Sequence, residues 1–234
     1  MYKSALIKLS GEALAGEDGI LDGVMLEKIS KQIKKCADEG IQIAIVIGAG
    51  NIWRGGRQNG ISVERVRADH MGMLGTLINC LGLSDYIEKE GLKATVLSAV
   101  PVEQFCETYS QHKARKLMSE GHVVLLACGV GYPFFSTDTG MMLRAAELGV
   151  DIVLSARAVD GVYDKDPNVY PDAVKYDSLT YDVMLQKNLK VMDQTAAALG
   201  RDNNIKVYLF SLADPENIYK VLKGEKIGTV IEQN

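Results

Sequence analysis

The sequence predicts an α/β fold in which helices cover both faces of a parallel sheet. Strand-length apolar or β-branched runs recur along the 234 residues, and helical patterns lie between most of them. This alternation is typical of parallel sheets, because each parallel connection needs a crossover that is usually a helix. With 47% hydrophobic and 24% charged residues and no Pro-, Ser- or Gln-rich linker, residues 1–234 are expected to form a single domain.

Seven strands are predicted from the apolar runs. They cover residues 5–9, 41–47, 94–98, 123–128, 151–154, 205–210 and 229–231. A helix is predicted over residues 25–38, where apolar residues recur at helical spacing and Gly40 follows as a stop signal. Near the C-terminus, Asp214 and Pro215 are typical of the cap and first turn of another helix, which Gly224 ends.

A longer helix is predicted from about residue 69 to residue 89. Its apolar stripe has a three-four-three spacing and consists of Met71, Leu74, Ile78 and Leu81. We expect this stripe to be buried packing. Three glycines also lie in the segment, Gly72, Gly75 and Gly82. Because a glycine inside a helix costs about 1 kcal/mol relative to alanine, a neighbouring helix or subunit is expected to approach closely there.

Charge, cysteine spacing and hydropathy argue against several classes of protein. A formal net charge of -4 and a pI near 5.5 do not fit nucleic-acid binding, which usually needs a basic face. The four cysteines, at positions 36, 80, 106 and 128, form no Cys-x-x-Cys pair, so neither a zinc site nor a redox motif is predicted. The sequence shows neither a signal peptide nor an apolar run of membrane length, and a cytoplasmic protein without membrane contact is expected.

Three glycine-containing turns follow predicted strands and indicate anion binding. Lys8 lies near the end of the first strand, at the sheet edge where open α/β folds place ligands. From this segment alone, ligand contact and a lysine that extends into water are equal alternatives. The third turn adds the hydroxyls of Ser136 and Thr137 and leads into a helix that begins near Asp138, whose free amides favour an anion.

The second turn matches a dinucleotide-binding fingerprint only in part. It reads Gly48-Ala-Gly50, but Trp53 stands where the third glycine is required, so a Rossmann site is not predicted. The chain also lacks a Gly-x-x-x-x-Gly-Lys-Ser/Thr segment, which excludes a P-loop. Arg54 can pair with phosphate oxygens, and ligand contact is favoured here over a purely structural turn. The histidines at 70, 112 and 122 form no nucleophile-base pattern, which argues against a hydrolase.

The loop of residues 160–168 contains an Asp-x-Asp-x-Asn run. It does not match a calcium-binding EF-hand, because Val169 and Lys175 stand where glycine and glutamate are required. Turn chemistry explains the Asp-Pro-Asn sequence and is the favoured interpretation. As an alternative, Tyr163 and Asp166 can flank the ring and the ribose of a nucleotide.

Six segments together resemble those of the bacterial uridylate kinases, also called UMP kinases. They are Lys8-Leu-Ser-Gly11, Gly48-Ala-Gly-Asn-Ile-Trp-Arg-Gly55, Asp69-His-Met-Gly-Met73, Gly131-Tyr-Pro-Phe-Phe-Ser-Thr-Asp138, Val159-Asp-Gly-Val-Tyr163 and Lys190-Val-Met-Asp193. The resemblance covers almost the whole chain and implies a three-layer αβα sandwich with a mainly parallel central sheet, the amino acid kinase fold. It also implies transfer of the ATP γ-phosphoryl group to UMP with Mg²⁺, and a homohexamer. GTP as activator and UTP as inhibitor are implied as well, with residues 16–19 in a region linked to GTP activation in some relatives.

The resemblance assigns roles to individual residues. The implied catalytic residues are Lys8, Arg54 and Asp138. The implied ATP-binding residues are Lys8, Leu9, Ser10, Gly11, Gly50, Arg54, Arg157, Tyr163 and Asp166. The implied UMP-binding residues are Gly48, Ala49, Asp69, Val130, Gly131, Tyr132, Pro133, Phe134, Phe135, Ser136 and Thr137. Asp138 would orient Lys8 rather than remove a proton, and Asp69 would contact the ribose, with a helix N-cap as its alternative role. The sequence assigns no magnesium ligand.

The chain departs from the family's pattern at two positions. Ala156-Arg157-Ala158 stands where relatives often have a Thr-Lys or Lys-Asn combination, so Arg157 is expected to replace the charge of the missing lysine. Ala49 stands where relatives commonly have glycine, and it must accept the same backbone geometry.

Two other functions are alternatives within the same fold. A kinase that acts on a carboxylate or carbamate is disfavoured by residues 69–73 and 132–138. The second alternative is a nucleotide-binding storage or regulatory protein without turnover. The presence of Lys8, Arg54 and Asp138 favours an active enzyme over it.

Overall fold

The computed structural model of the protein describes residues 2–17, 19–53, 62–189 and 191–233. Its strands are β1 (Ser4–Leu9), β2 (Gln42–Ile47), β3 (Lys93–Ser98), β4 (Glu107–Thr108), β5 (His122–Ala127), β6 (Ile152–Arg157), β7 (Val162–Tyr163), β8 (Lys175–Tyr176), β9 (Ser178–Thr180), β10 (Val207–Ser211) and β11 (Thr229–Glu232). Its helices are α1 (Gly23–Asp38), α2 (Arg65–Lys89), α3 (Gln111–Ser119), α4 (Thr137–Leu148), α5 (Tyr181–Gln186), α6 (Gln194–Asp202) and α7 (Asn217–Leu222). Within these described residues, none of the helices is both long enough and apolar enough to cross a membrane.

The main sheet of the described chain has nine strands in the order β4-β3-β5-β2-β1-β6-β10-β11-β9. Its neighbouring strands are parallel except for β10 and β11. Strands β7 and β8 form a separate antiparallel hairpin. Each of the predicted strands overlaps a strand of the main sheet, so the prediction of a mainly parallel sheet is confirmed.

Side chains on the two faces of the sheet enter separate cores, and this alternation orients β1. Ala5, Ile7 and Leu9 face the core that α1, α2 and α7 cover. Leu6 faces the opposite core, which α3, α4, α5 and α6 cover. The sheet between two helical layers is the predicted αβα sandwich. Because successive side chains of a strand point to opposite faces, Lys8 lies on the same face as Leu6, towards α4.

Helix α2 begins earlier than predicted, at Arg65 rather than at Asp69. The carboxylate of Glu64 caps it and accepts hydrogen bonds from the amides of Val66 and Arg67 at 3.1 and 3.4 Å. Such a cap satisfies amides that have no partner within the helix. Asp69 therefore lies inside the helix, and its alternative role as an N-cap is wrong.

The apolar stripe of α2 is exposed, so the prediction that it is buried packing is wrong. The exposed fractions are 40% for Met71, 50% for Leu74, 45% for Ile78 and 38% for Leu81. A different face of the helix is buried against the sheet, and it includes Thr76, Asn79, Cys80, Leu83 and Ile87. The sequence spacing identifies an apolar face of the helix, but it does not identify what covers that face.

The glycines of α2 allow close contacts with loops of the same chain. A Cβ atom at Gly75 would lie 2.9 Å from the Cβ atom of Ala49. A Cβ atom at Gly82 would lie 2.8 Å from Cδ1 of Leu21. The expected close approach therefore exists at these two positions, but loops make it rather than a neighbouring helix.

Helix α7 begins at Asn217, later than the predicted first turn at Pro215. Asp214 accepts a hydrogen bond from the amide of Glu216 at 3.0 Å. The Asp-Pro pair therefore forms a turn that precedes the helix instead of its first turn.

Candidate active site

The carboxyl ends of neighbouring parallel strands bring the predicted turns together. Lys8 of β1 lies opposite Val46 of β2 and Ser155 of β6 in the sheet register. The segments that follow β1, β2 and β5 all leave the sheet at this edge, where open α/β sheets bind ligands. A Cβ atom on Gly11 would lie only 2.3 Å from the carbonyl oxygen of Gly48, so the first two turns pack directly against each other.

Asp138, in the first turn of α4, lies between two cations. Its Oδ1 atom is 3.3 Å from Nζ of Lys8, and its Oδ2 atom accepts a hydrogen bond from Nη2 of Arg157 at 2.7 Å. Arg157, the last residue of β6, also donates from Nε to Oγ of Ser155 at 3.0 Å. The structure thus gives Arg157 a defined contact and makes Lys8, Asp138 and Arg157 one cluster, here called the cationic cluster.

Burial and mutual charge set the ionisation of the cationic cluster. Burial acts to raise the pKa of the Asp138 carboxyl, but the charges of Lys8 and Arg157 outweigh it and hold that pKa below its usual value. The pKa of Lys8, which is only 8% exposed, is lowered because its ammonium is buried, although Asp138 opposes this shift. An ionised cluster carries two cations and one anion, and this excess of positive charge favours an anionic ligand.

The ammonium of Lys8 keeps hydrogen-bonding capacity. Oδ1 of Asp138 is buried and makes no well-aligned hydrogen bond with the described residues, so its approach to Lys8 is a charge contact. The N–H groups of Lys8 are therefore not committed to this partner and can donate to a ligand.

A cavity of about 370 Å³, here called the acceptor-side cavity, lies at the N-terminus of α4. Most of the predicted UMP-binding residues line it. These are Ala49, Asp69, Val130, Tyr132, Phe134, Phe135, Ser136 and Thr137. Gly50, predicted as an ATP contact, also lines this cavity. Gly48, Gly131 and Pro133 do not line it, and a Cβ atom on Gly131 would instead lie 3.2 Å from the carbonyl oxygen of Ala99.

The segment of residues 128–137, here called the acceptor-side loop, surrounds the acceptor-side cavity, and Asp69 holds the middle of this loop. Its Oδ2 atom accepts hydrogen bonds from the amide of Phe134 at 2.8 Å and from Nε of Arg65 at 2.9 Å. Phe134 has a φ of 71°, a left-handed conformation that is uncommon for a bulky residue. The guanidinium of Arg65 also lies 5.4 Å from the centre of the Phe134 ring. Asp69 thus stabilises an unfavourable backbone conformation in the loop that surrounds the cavity.

The beginning of the same loop is held from two sides. Cys128 and Gly129 both have positive φ, 61° and 57°. The amide of Cys128 donates to Oγ1 of Thr76 in α2 at 2.8 Å, and Nη2 of Arg144 in α4 donates to the carbonyl oxygen of Gly129 at 3.0 Å. Arg144 is buried and pairs with Glu147 at 2.7 Å. No sequence motif indicates these roles for Thr76 and Arg144.

The end of the loop is held by Asp193, another residue without a predicted site role. Its carboxylate accepts hydrogen bonds from the hydroxyl of Ser136, the N-cap of α4, and from the hydroxyl of Thr139 at 3.0 Å. It also accepts from the amide of Ala196 at 3.0 Å and so caps α6. Asp193 therefore fixes α6 against the predicted phosphate-binding end of α4, and its place in the Lys-Val-Met-Asp segment was the available sequence signal.

A second cavity, of about 540 Å³, is bordered by Arg157 and contains the predicted nucleotide residues Tyr163 and Asp166. Tyr163 donates its hydroxyl hydrogen to Asp160 at 2.8 Å. Oδ1 of Asp166 accepts from the amide of Asn168 at 2.9 Å, which confirms the predicted turn. A smaller cavity, of about 320 Å³, is lined by Asp138 and Arg157, so Arg157 borders both spaces.

The remaining predicted site residues differ in what they offer a ligand. Leu9 is fully buried in the core, so only its main chain is at the sheet edge, and its carbonyl accepts the amide of Gly48 at 3.0 Å. Ser10 is the residue before the short helix Gly11–Leu14. The predicted catalytic residue Arg54 lies outside the described residues.

The described side chains do not form a preformed metal cage. No group of three or more His, Cys, Asp or Glu side chains in the described part of the chain is arranged to hold a metal ion.

Comparisons with known proteins agree with this geometry. The sequence model of the amino acid kinase family matches residues 3–211. A curated uridylate kinase of Xanthomonas oryzae pv. oryzae is 43% identical over 232 residues, covering 99% of this chain and 97% of the relative. The uridylate kinase of Xanthomonas euvesicatoria pv. vesicatoria is also 43% identical, with the same coverage.

Solved structures give the same result. The crystal structure of UMP kinase from Bacillus anthracis has a TM-score of 0.95 and 36% identity, covering 100% of this chain and 97% of the other. UMP kinase from Ureaplasma parvum has a TM-score of 0.95 and 35% identity, with 100% of both chains covered. The predicted resemblance and fold class are confirmed, and the chain belongs to the amino acid kinase family, among its uridylate kinases.

Proposed function

We propose that this protein is a UMP kinase, which transfers the γ-phosphoryl group of ATP to UMP and releases UDP and ADP in pyrimidine nucleotide biosynthesis. The observation that carries the proposal is the cationic cluster, in which Arg157 borders the cavity of Tyr163 and Asp166 while Asp138 follows the loop of the acceptor-side cavity. Lys8, which contacts the carboxylate of Asp138, is proposed to meet the phosphoryl group as it passes between the two cavities.

The transfer needs alignment and charge neutralisation more than it needs a base. The UMP phosphate is largely dianionic near neutral pH, so one of its oxygens can attack the γ-phosphorus without losing a proton to the protein. The bond from the γ-phosphorus to the β,γ-bridging oxygen breaks, and the electron pair leaves with ADP. Lys8 neutralises charge that develops on the transferring group. Asp138 orients Lys8, and its depressed pKa keeps it ionised and makes it a weak base.

Main-chain amides are the proposed partners of the phosphates. Residues 8–11 and Gly50 are proposed to contact ATP, and Gly48 and Ala49 to contact the phosphate of UMP, where Ala49 supplies the amide because that of Gly48 already donates to the carbonyl of Leu9. The amides of Gly11, Ala49 and Gly50 donate to no described residue, which supports this role. Arg54 is proposed as a further cation on the phosphoryl group.

The acceptor-side cavity is the proposed UMP site, with residues 130–137 around the base and phosphate. Asp69 is proposed to contact the ribose. Only its Oδ2 atom is engaged by described residues, so Oδ1 can accept a hydrogen bond from a hydroxyl group. On the opposite side, Arg157, Tyr163 and Asp166 are the proposed contacts for ATP.

Magnesium is the proposed cofactor and would enter on the phosphates of ATP. When bound, it shields phosphate charge and aligns the β- and γ-phosphates. No protein ligand is assigned, in keeping with the side-chain arrangement described above.

A homo-oligomer, specifically a homohexamer, is proposed for the assembled protein. The exposed stripe of α2 supports self-association, because four neighbouring apolar side chains on one helix face are costly to leave in water. The number of six subunits rests on the resemblance. The remaining expectations, a single domain in the cytoplasm without nucleic-acid or membrane partners, are also kept as proposals.

GTP is the proposed activator and UTP the proposed inhibitor. At the two ends of the segment linked to GTP, the amide of Gly16 donates to the carbonyl of Gly19 at 3.1 Å. The next carbonyl, that of Ile20, accepts a hydrogen bond from Asn51 at 2.6 Å, which connects this region to the second glycine turn. UDP formation at subsaturating ATP should rise with added GTP, and an unchanged rate would contradict activation.

One coupled assay tests the main proposal. The protein is offered ATP-Mg²⁺ with UMP, CMP, carbamate or acetylglutamate in separate reactions. Turnover with UMP alone supports a UMP kinase. Turnover with carbamate or acetylglutamate would support the carboxylate or carbamate kinase alternative. Tight nucleotide binding without turnover would support a storage or regulatory protein of the same fold.

A further inference from the structure

A buried amide pair connects α2 to the second glycine turn. Asn79 is fully buried in α2, and its Nδ2 atom donates to the carbonyl oxygen of Gly48 at 2.8 Å. Asn79 and Asn51 also exchange hydrogen bonds through their side-chain amides, each at 2.9 Å. Nδ2 of Asn51 donates further to the carbonyl oxygen of Ile20 at 2.6 Å. Two side chains thus join three segments that are far apart in the sequence.

The contact to Gly48 determines the direction of the following amide. The described chain has no cis peptide bond, so the carbonyl of Gly48 and the N–H of Ala49 point in opposite directions from one planar unit. With the carbonyl fixed towards Asn79, the N–H of Ala49 must point away from Asn79. The carbonyl of Ala49 is fixed as well, because it accepts the amides of Ile52 and Trp53 at 2.9 and 2.8 Å.

The second glycine turn, held in this way by Asn79, also determines the position of the first glycine turn. Asn51 Oδ1 would lie 2.5 Å from a Cβ atom on Gly11, and Gly48 O would lie 2.3 Å from the same atom. The carbonyl oxygen of Gly48 and Oδ1 of Asn51 both accept hydrogen bonds from Asn79. These two oxygen atoms therefore form the surface against which the first glycine turn packs. A shift of Gly48 or Asn51 would displace both sets of amides.

We infer that the Asn79–Asn51 pair is a positioning element for phosphoryl transfer, which holds the amides of both glycine turns at the distance that the two phosphates require. This inference rests on the proposed function. Neither asparagine touches the reacting atoms. They act through Gly48 and Gly11, and their loss should reduce catalysis more than it reduces folding.

The test compares Asn79→Ala and Asn51→Ala with Leu83→Ala. Leu83 is fully buried on the same helix, one turn beyond Asn79, and packs in the core instead of on the glycine turns. For each variant, kcat and KM for UMP and ATP are measured well below the midpoint of thermal unfolding. Asn79→Ala should lower kcat/KM for UMP by about 10- to 100-fold, since small displacements of aligned groups have effects of this size. Leu83→Ala should lower the unfolding midpoint and leave kcat/KM close to that of the unaltered protein.

An isosteric variant separates the hydrogen bond from packing. In Asn79→Asp, an ionised carboxylate would face the Gly48 carbonyl and could not donate, whereas the protonated acid can donate. Its kcat/KM relative to the unaltered protein should therefore rise as the pH falls. A purely structural role predicts no such recovery in catalysis.

The outcomes separate the inference from the function on which it rests. If the unaltered protein does not phosphorylate UMP, the proposed function fails. If it does, and Asn79→Ala and Asn51→Ala both keep its kcat/KM, the inference is overturned. Should Asn79→Ala not fold, half-buried Asn51 decides the matter, because Asn51→Ala removes the partner amide and must itself lower kcat/KM.

Discussion

Arg157 and Lys8 share the carboxylate of Asp138, one on each oxygen, at 2.7 and 3.3 Å. The shared carboxylate keeps a buried ammonium and a half-buried guanidinium close together, although these two like charges would otherwise repel each other. Oδ1 of Asp138 makes no well-aligned hydrogen bond with the described residues, so its approach to the ammonium of Lys8 is a charge contact. Arg157, which departs from the family's sequence pattern, is thus part of the cationic cluster.

Removing the ammonium of Lys8 should affect turnover far more than UMP binding. In Lys8→Ala, kcat is expected to fall by about 100- to 1000-fold, because the interaction strengthens in the transition state. The affinity for UMP, measured by calorimetry, should change little. Lys31→Ala, which removes an exposed lysine of α1, is the control and should behave as the unaltered protein. Equal losses in turnover and binding would contradict the proposed role.

Removing Arg157 should shift the alkaline limb of the pH–rate profile. Burial lowers the pKa of Lys8 from its usual 10.5, and the charge of Arg157 adds to that shift. As the pH rises, turnover should therefore begin to decline before pH 10.5 is reached, because Lys8 loses its proton there. In Arg157→Ala the pKa of Lys8 rises, so the limb should move to higher pH when kcat is measured at saturating ATP. Arg201→Ala removes an exposed arginine and should leave the limb in place, and a limb unmoved by Arg157→Ala would contradict the prediction.

Asp138→Asn should destabilise the protein in a pH-dependent way. The variant keeps the shape of the side chain but leaves the buried Lys8 and the half-buried Arg157 without an anionic partner, which should lower the free energy of unfolding by about 3 kcal/mol at pH 7. Because the folded pKa of Asp138 lies below its usual 3.8, its contribution is complete above that value and is lost as the pH falls through the folded pKa. Urea unfolding should therefore show the difference between the two proteins shrinking below pH 3.8. A difference that stays constant at acid pH would show that Asp138 acts by packing alone.

Asp193→Ala should weaken both the fold and the acceptor site. Loss of the α6 cap is expected to lower the free energy of unfolding by about 1 kcal/mol. Loss of the hydrogen bonds from Ser136 and Thr139 should also raise KM for UMP, because the end of the acceptor-side loop is no longer held. Asp182→Ala, in the first turn of α5 and largely exposed, is the control and should leave KM unchanged. An unchanged KM in Asp193→Ala would restrict this residue to a structural role.

A charge on the exposed stripe of α2 should prevent self-association. Leu74→Glu or Ile78→Glu is expected to lower the sedimenting mass, because burying a carboxylate in an apolar interface is costly. Val24→Glu changes an apolar residue of α1 that is also exposed, at 59%, and should leave the mass unaltered. If the stripe variants sediment like the unaltered protein, the interface lies elsewhere.

The long strands and α1 could be predicted from the sequence because their periodic burial is local. Strands β4, β7, β8 and β9 have only two or three residues each, which is too short for an alternating pattern. The stripe of α2 was misassigned for a different reason. An apolar face has the same spacing whether it packs inside the protomer or remains for another partner.

The candidate site was predictable where chemistry follows the local sequence. Glycine turns after strands indicated the regions of Lys8 and Asp138, and the family resemblance added Arg157. Residues that act through tertiary contacts were missed. Asp193 and Ser136 are 57 positions apart, and Asn79 and Gly48 are 31 apart, so no local pattern joins them.

The contact between Ala49 and Gly75 links the composition of the glycine turn to that of α2. The methyl group of Ala49 lies 2.9 Å from the position that a Cβ atom at residue 75 would occupy. The space therefore admits either a methyl group at position 49 or a side chain at position 75, but not both. A relative with glycine at position 49 would have room for alanine at position 75. The two positions should therefore covary during evolution, and a natural chain with side chains at both would have to hold α2 further from the second glycine turn.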